Sequence, residues 1–175
     1  MNLKKNLRSF LAAAALATML AVPTLALAVA SGLSTYAHQA LLNGTFGKTS
    51  SFGTFPTAPT IYVALSSTTP TAGACANVTE PSSGSYARKS TVASDWNTAT
   101  SANPSVVTNA NAITFATATG DWVSAANLTH FLLYDALTTG NCLGWGPLTT
   151  AKPVLNGDTA SFGAAALQVQ LGTTP

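Results

Sequence analysis

Hydrophobic and polar positions change rhythm along this chain. Phe10 to Val22 is an almost unbroken apolar run behind Lys4, Lys5 and Arg8, and Pro23 ends it before a stretch of small residues. From Ser31 to Leu42, apolar residues fall at Leu33, Tyr36, Ala37, Ala40 and Leu41. That i, i+3, i+4, i+7, i+8 spacing predicts an amphipathic helix. Ser31 is placed to cap its start and Asn43-Gly44 to end it. After Gly53 the texture becomes short β-branched and aromatic runs separated by Gly, Pro, Asn and Asp, the pattern of an all-β domain.

The strands predicted on this basis are Ile61 to Leu65, Tyr86 to Ala93, Ala112 to Phe115, Leu128 to Tyr134, Leu143 to Trp145, Thr159 to Phe162 and Leu167 to Leu171. So many short strands imply an antiparallel β-sandwich with a short N-terminal helix. In the last run Leu167, Val169 and Leu171 alternate with Gln168 and Gln170, as in a half-buried strand. Phe131-Leu132-Leu133-Tyr134 is apolar at every position, which suits a central strand covered on both faces. Asn156-Gly157, between Val154-Leu155 and Thr159 to Phe162, predicts a type I′ hairpin. The hydroxyl-rich stretches Ser66 to Ser85 and Asn97 to Asn111 are expected to be loops.

The basic start, apolar run and small residues after Pro23 have the tripartite layout of a secretory signal peptide. The apolar run is shorter than the roughly 20 residues a spanning helix needs, so a membrane anchor is disfavoured. Cleavage fits after Ala28 or after Ala30, with Ala28 preferred. That gives a leader of residues 1–28 and a single domain of residues 29–175, with 29–44 as an N-terminal helix or arm. No Cys follows the run, against a lipoprotein, and no Glu sits early in it, against a type IV pilin.

Export changes the charge balance. The precursor is +2, but three of its seven basic residues lie in the leader, leaving four against five acidic ones, a net −1. Nucleic-acid binding loses its electrostatic support. So few charges, against roughly 25% in ordinary domains, fit either a surface meant to associate or a monomer hydrated by hydroxyls. In an oxidising compartment Cys75 and Cys142 are expected to pair, for about 4 kcal/mol by loop-closure entropy. That bond would tie a loop to the core.

Chemistry is sparse. His38 and His130 are the two histidines, and His130, in a predicted strand, reads as a hydrogen-bonded structural residue rather than a base. There is no Gly-x-Ser-x-Gly elbow, no phosphate loop and no metal-ligand spacing, so no catalytic residue, cofactor or metal is assigned. Asp121, Asp135 and Asp158 fall at turns, where carboxylates cap amides. Trp96 and Trp122, with neighbouring tyrosines, could form a sugar-stacking platform, although core packing is the commoner fate of such residues. Three Asn-x-Thr sequons carry little weight in so Thr-rich a chain.

The order of several short motifs resembles a family of small tailed-phage structural proteins, the tail fibre proteins. The motifs are Ser34-Thr35-Tyr36-Ala37 with Ala40-Leu41-Leu42, Ile61 to Leu65, Glu80-Pro81, Gly84, Tyr86-Ala87-Arg88, Ile113-Thr114-Phe115 and Ala118 to Trp122. They continue through Thr129-His130-Phe131, Tyr134-Asp135-Ala136, Gly140-Asn141, Leu148-Thr149-Thr150 with Lys152, and Gly157-Asp158-Thr159. The resemblance implies a virion-type β-domain that acts by assembling. Proteins of this kind lack a signal peptide and do not usually carry the cysteine pair. The expectation is therefore a secreted subunit that forms a homopolymeric, head-to-tail extracellular filament or surface layer, with no membrane association after cleavage. Either the helix (Leu33, Tyr36, Ala37, Ala40, Leu41) or the last strand (Leu167, Val169, Leu171) would complete a neighbour's sheet, the N-terminal segment being preferred. The alternatives are an adhesin-like module binding surface glycans through Trp96 and Trp122, and a secreted hydrolase using His130 and Asp135.

Overall fold

The computed structural model describes residues 34–50, 60–71, 75–124 and 126–172. Its first element is helix α1, Thr35–Thr45, capped by Ser34, whose Oγ accepts from the Ala37 amide at 3.3 Å. The helix thus starts later than the apolar spacing predicts and runs past Asn43-Gly44. Gly47, at φ +70°, supplies the left-handed residue beyond its end. Asn43 stays helical because its side chain has a tertiary partner: Oδ1 accepts from the Ala99 amide at 2.8 Å. Gln39 Nε2 donates to the Ala99 carbonyl at 3.0 Å, so α1 holds that loop by both backbone groups.

This changes which face is buried. His38, Ala40, Leu42, Asn43 and Phe46 are buried, Ala37 and Leu41 are half-buried, and Tyr36 is 54% exposed. Leu33 lies outside the described residues. The phase is set by Leu42 and by Phe46, which meets Trp96 edge-on with ring centroids 4.5 Å apart. Phe46 falls beyond the predicted helix end, which is why the predicted stripe is rotated.

The sandwich is antiparallel. Strands β1 (Ile61–Ser66), β2 (Lys89–Thr91), β5 (Leu128–Tyr134) and β6 (Cys142–Lys152) form a four-stranded sheet in the order β2-β1-β5-β6. The other layer is made of two separate ribbons. β3 (Ser105–Thr108) pairs with β8 (Gln168–Leu171), and β4 (Ile113–Thr114) pairs with β7 (Ser161–Phe162). Helix α1 packs on β3 and β8.

Register explains the continuous apolar run in β5. Val63 faces Leu133 and Leu65 faces Phe131 on the side turned to the main core, whereas Tyr62 faces Tyr134 and Ala64 faces Leu132 on the other. Both faces are covered. Ile61, Val63, Leu65, Trp96, Val107, Phe115, Trp122 and Leu167 belong to the main core. A smaller cluster of Ala64, Leu132 and Tyr134 lies beneath Cys75, Val78 and Trp145.

β3 falls within the predicted loop Asn97 to Asn111. Its inward positions are Ser105, Val107 and, just beyond, Asn109, all fully buried, so polar residues mask the strand pattern. Asn109 is compensated completely: Nδ2 donates to the Asn111 and Gly163 carbonyls at 2.8 and 2.7 Å, and Oδ1 accepts from the Leu167 amide at 2.8 Å. The last strand keeps its expected alternation, with Leu167 buried, Val169 and Leu171 partly buried, and both glutamines exposed. The predicted Asn156-Gly157 hairpin is not formed. The turn exists, with Asp158 N bonded to Leu155 O at 3.0 Å and Gly157 at φ +89°. However, the strand after it pairs with β4, and Asn156 lacks the positive φ a type I′ turn requires.

Candidate functional site

The charged and aromatic residues predicted as motifs converge on two loop clusters. In the first, Glu80 and Arg88 form an ion pair, Nη2 to Oε1 at 2.6 Å and Nε to Oε2 at 3.1 Å. Arg88 Nη1 donates to the carbonyls of Ala136 and Thr139 at 3.0 and 2.7 Å, and its guanidinium carbon lies 3.5 Å from the centre of the Tyr134 ring. Tyr86 donates to Glu80 Oε2 at 3.2 Å and accepts from the Leu65 amide at 2.9 Å. Burial, reinforced by the Glu80 carboxylate, raises its pKa far above the ordinary phenol value. Asp135 accepts from the Asn141 amide and side chain at 2.6 and 2.7 Å, and these bonds lower its pKa. The segments around residues 80, 88 and 134–141 are thereby fastened together.

The second cluster joins Gly84, residues 118–122 and residues 154–158. Trp122 Nε1 donates to Gly84 O at 3.0 Å, Thr119 N donates to the same carbonyl at 3.1 Å, and Gly157 N donates to Ala118 O at 2.8 Å. Asp121 Oδ1 accepts from Asn156 N, and Asp158 Oδ2 from Leu155 N, at 3.0 and 2.9 Å. Gly84, at φ +61°, passes so close to Gly120 that an added Cβ would sit 2.0 Å from its carbonyl oxygen. The aspartates cap amides, as their positions predict.

The cysteines, tryptophans and histidines singled out from sequence all fall among the described residues. Cys75 and Cys142 are bonded, with Cα atoms 6.2 Å apart, and tie the loop after β1 to the start of β6 over the smaller cluster. Trp96 and Trp122 are each only 2% exposed. Trp96 Nε1 donates to Thr91 Oγ1 at 2.9 Å, and Trp122 stands among Tyr86 and Phe115. Neither indole offers a face to a sugar, which corrects their assignment as a ligand platform. His130 lies against Trp145 and its Nδ1 contacts Thr129 Oγ1 at 2.8 Å. His38 Nδ1 is buried with no hydrogen-bond partner among the described residues. His130 and Asp135 are thus held by separate local partners, and no paired acid and base is seen among the described groups.

A groove of about 570 Å³ opens where the two layers part, a feature not predicted from sequence. Its floor includes the core-facing Leu65, Leu128 and Phe131; its walls are residues 147–154, in and after β6, and residues 158–163, before and through β7. The predicted strand Leu143 to Trp145 stops before Pro147, but β6 continues to Lys152 because proline is tolerated on a sheet edge. Pro147 is the one sequence feature that marks that edge.

The fold and its fastened loops define a small structural β-domain. A family model described as Podophage GP4 fiber I protein gp80 matches residues 32–170, and the chain belongs to that family of phage fibre proteins. No curated protein matches it.

Proposed function

We propose that this chain is an exported structural subunit that assembles with copies of itself, head to tail, into an extracellular filament or surface appendage. One observation carries the reading: the fibre-family match spans almost the whole domain, in which the charged motifs serve to fasten loops rather than to form a reaction centre. Export is supported by the leader pattern of residues 1–28, an addition that a virion component assembled in the cytoplasm would not need. Low charge removes the repulsion that keeps ordinary domains apart. The glycan-binding alternative loses its named aromatics to the core.

Fractionation of a producing culture tests both halves. The chain is expected outside the cells, beginning at Val29 by N-terminal sequencing and pelleting as polymer. Retention of the full-length chain in the cytoplasm contradicts export, and an extracellular monomer contradicts assembly.

A further inference from the structure

We propose that the groove between β6 and β7 is the acceptor for a strand formed by residues 29–33 of a second copy of this chain. The inference rests on the reading of the chain as a polymerising subunit and assigns the surface through which it polymerises.

The groove is the place where the second layer is incomplete. Among the described residues β6 pairs only with β5, and β7 only with β4, so two strand edges border it. Phe131, whose partner across the sheet is Leu65, is half-buried against the main core, with Phe162 edge-on to it at a centroid distance of 6.2 Å, and it lines the groove. An apolar floor beside open backbone edges is what an added strand needs: main-chain hydrogen bonds from the edge, and pockets for alternate side chains.

The occupant follows from what the domain already holds. Leu42 and Phe46 anchor α1 in its own core, while β8 is paired with β3 and Leu167 is 1% exposed. Neither expected donor element is available to cross to a neighbour; of the N-terminal segment 29–44, favoured as donor from sequence, the part not committed to α1 and its cap is the stretch before Ser34. In that stretch Val29, Ser31 and Leu33 alternate with Ala30 and Gly32, two of the larger residues apolar and the intervening ones small. As a strand it spans about 17 Å. It carries no charged side chain, and the groove presents only Lys152 and Asp158, of opposite sign, among its described lining residues. Its volume lies within the roughly 300–1,000 Å³ that takes a ligand the size of a few side chains.

The test uses the full chain with a photo-reactive benzoylphenylalanine at position 33, assembled from equal amounts of ¹⁴N and ¹⁵N protein. Mixed-isotope cross-links from position 33 to residues 147–163 are expected. Cross-links to that region within a single copy would overturn the proposal in favour of self-seating, and polymer cross-linked elsewhere would overturn the groove assignment alone. A wild-type chain that forms no polymer would overturn the polymerising reading as well. As a second arm, Ala166→Arg alters an exposed groove-lining residue. It is expected to lower pelletable polymer at least tenfold with an unchanged unfolding midpoint, and full polymer yield from the folded variant would contradict the proposal.

Discussion

Arg88 and Glu80 are joined through two nitrogens and both carboxylate oxygens, at 2.6 and 3.1 Å, with side chains only 10% and 21% exposed. A bidentate pair of this kind fixes geometry as well as charge. Its position, reaching to Ala136 and Thr139 as well as Glu80, makes it the fastener of three loops. Arg88→Ala is expected to cost about 2–3 kcal/mol, just below the usual loss for breaking a buried pair because water still reaches Glu80. Arg88→Lys should lose roughly half as much, since it keeps the charge without the fork. Urea unfolding midpoints of both variants check this ordering.

Tyr86 gives stability a pH dependence on the alkaline side. Its folded pKa is raised, by burial first and Glu80 second, so the neutral phenol is the form the fold favours. The stabilising contribution is complete below the unfolded value of about 10 and declines as pH rises beyond it. Tyr86→Phe is expected to flatten that alkaline decline while costing about 1–3 kcal/mol at neutral pH, because the Leu65 amide loses its acceptor. Unfolding free energies between pH 8 and about 11 test both effects.

Asp135 acts at the opposite end of the scale. Its pKa is lowered by the Asn141 bonds, so its contribution is present above the unfolded value of 3.8 and fades as pH falls through the lower folded one. Asp135→Asn should make the acid limb of a stability profile shallower below pH about 4.

Two glycines separate backbone conformation from crowding. Gly84 and Gly157 both have positive φ, +61° and +89°, but an added Cβ meets Gly120 O at 2.0 Å in the first case and nothing within 4 Å in the second. Gly157→Ala is expected to cost about 1 kcal/mol from conformation alone. Gly84→Ala should cost about 3 kcal/mol or more, since the obstructing atom is backbone and cannot swing aside. Thermal denaturation of the two variants measures the difference.

The disulfide closes a sequence separation of 67 residues. Replacing both Cys75 and Cys142 with serine is expected to lower stability by about 4 kcal/mol. The same loss should appear in the wild-type chain under reductant and be absent from the double variant.

What could be read from the chain depended on whether local pattern and tertiary environment agreed. Leu128 to Tyr134 was legible to the residue because its neighbours cover both faces, so unbroken hydrophobicity reports its burial directly. The caps at Asp135 and Asp158 were legible because the amides they accept from, Asn141 and Leu155, lie a few residues away, whereas Asp121 accepts from Asn156, a partner distant in the chain. β3 was hidden because Ser105 and Asn109 occupy inward positions and are satisfied only by residues distant in the chain, such as Gly163 and Leu167. The helix phase depended on Phe46 meeting Trp96, a contact that no helical spacing encodes. The groove was invisible for a related reason: Phe131 and Phe162 read as ordinary core residues until the separation of the layers is known.

The claim that this chain is a self-assembling subunit is tested most directly by negative-stain electron microscopy of the purified mature protein. Uniform filaments of repeating subunits are the expected result. A field of isolated monomers across a range of concentrations would contradict it.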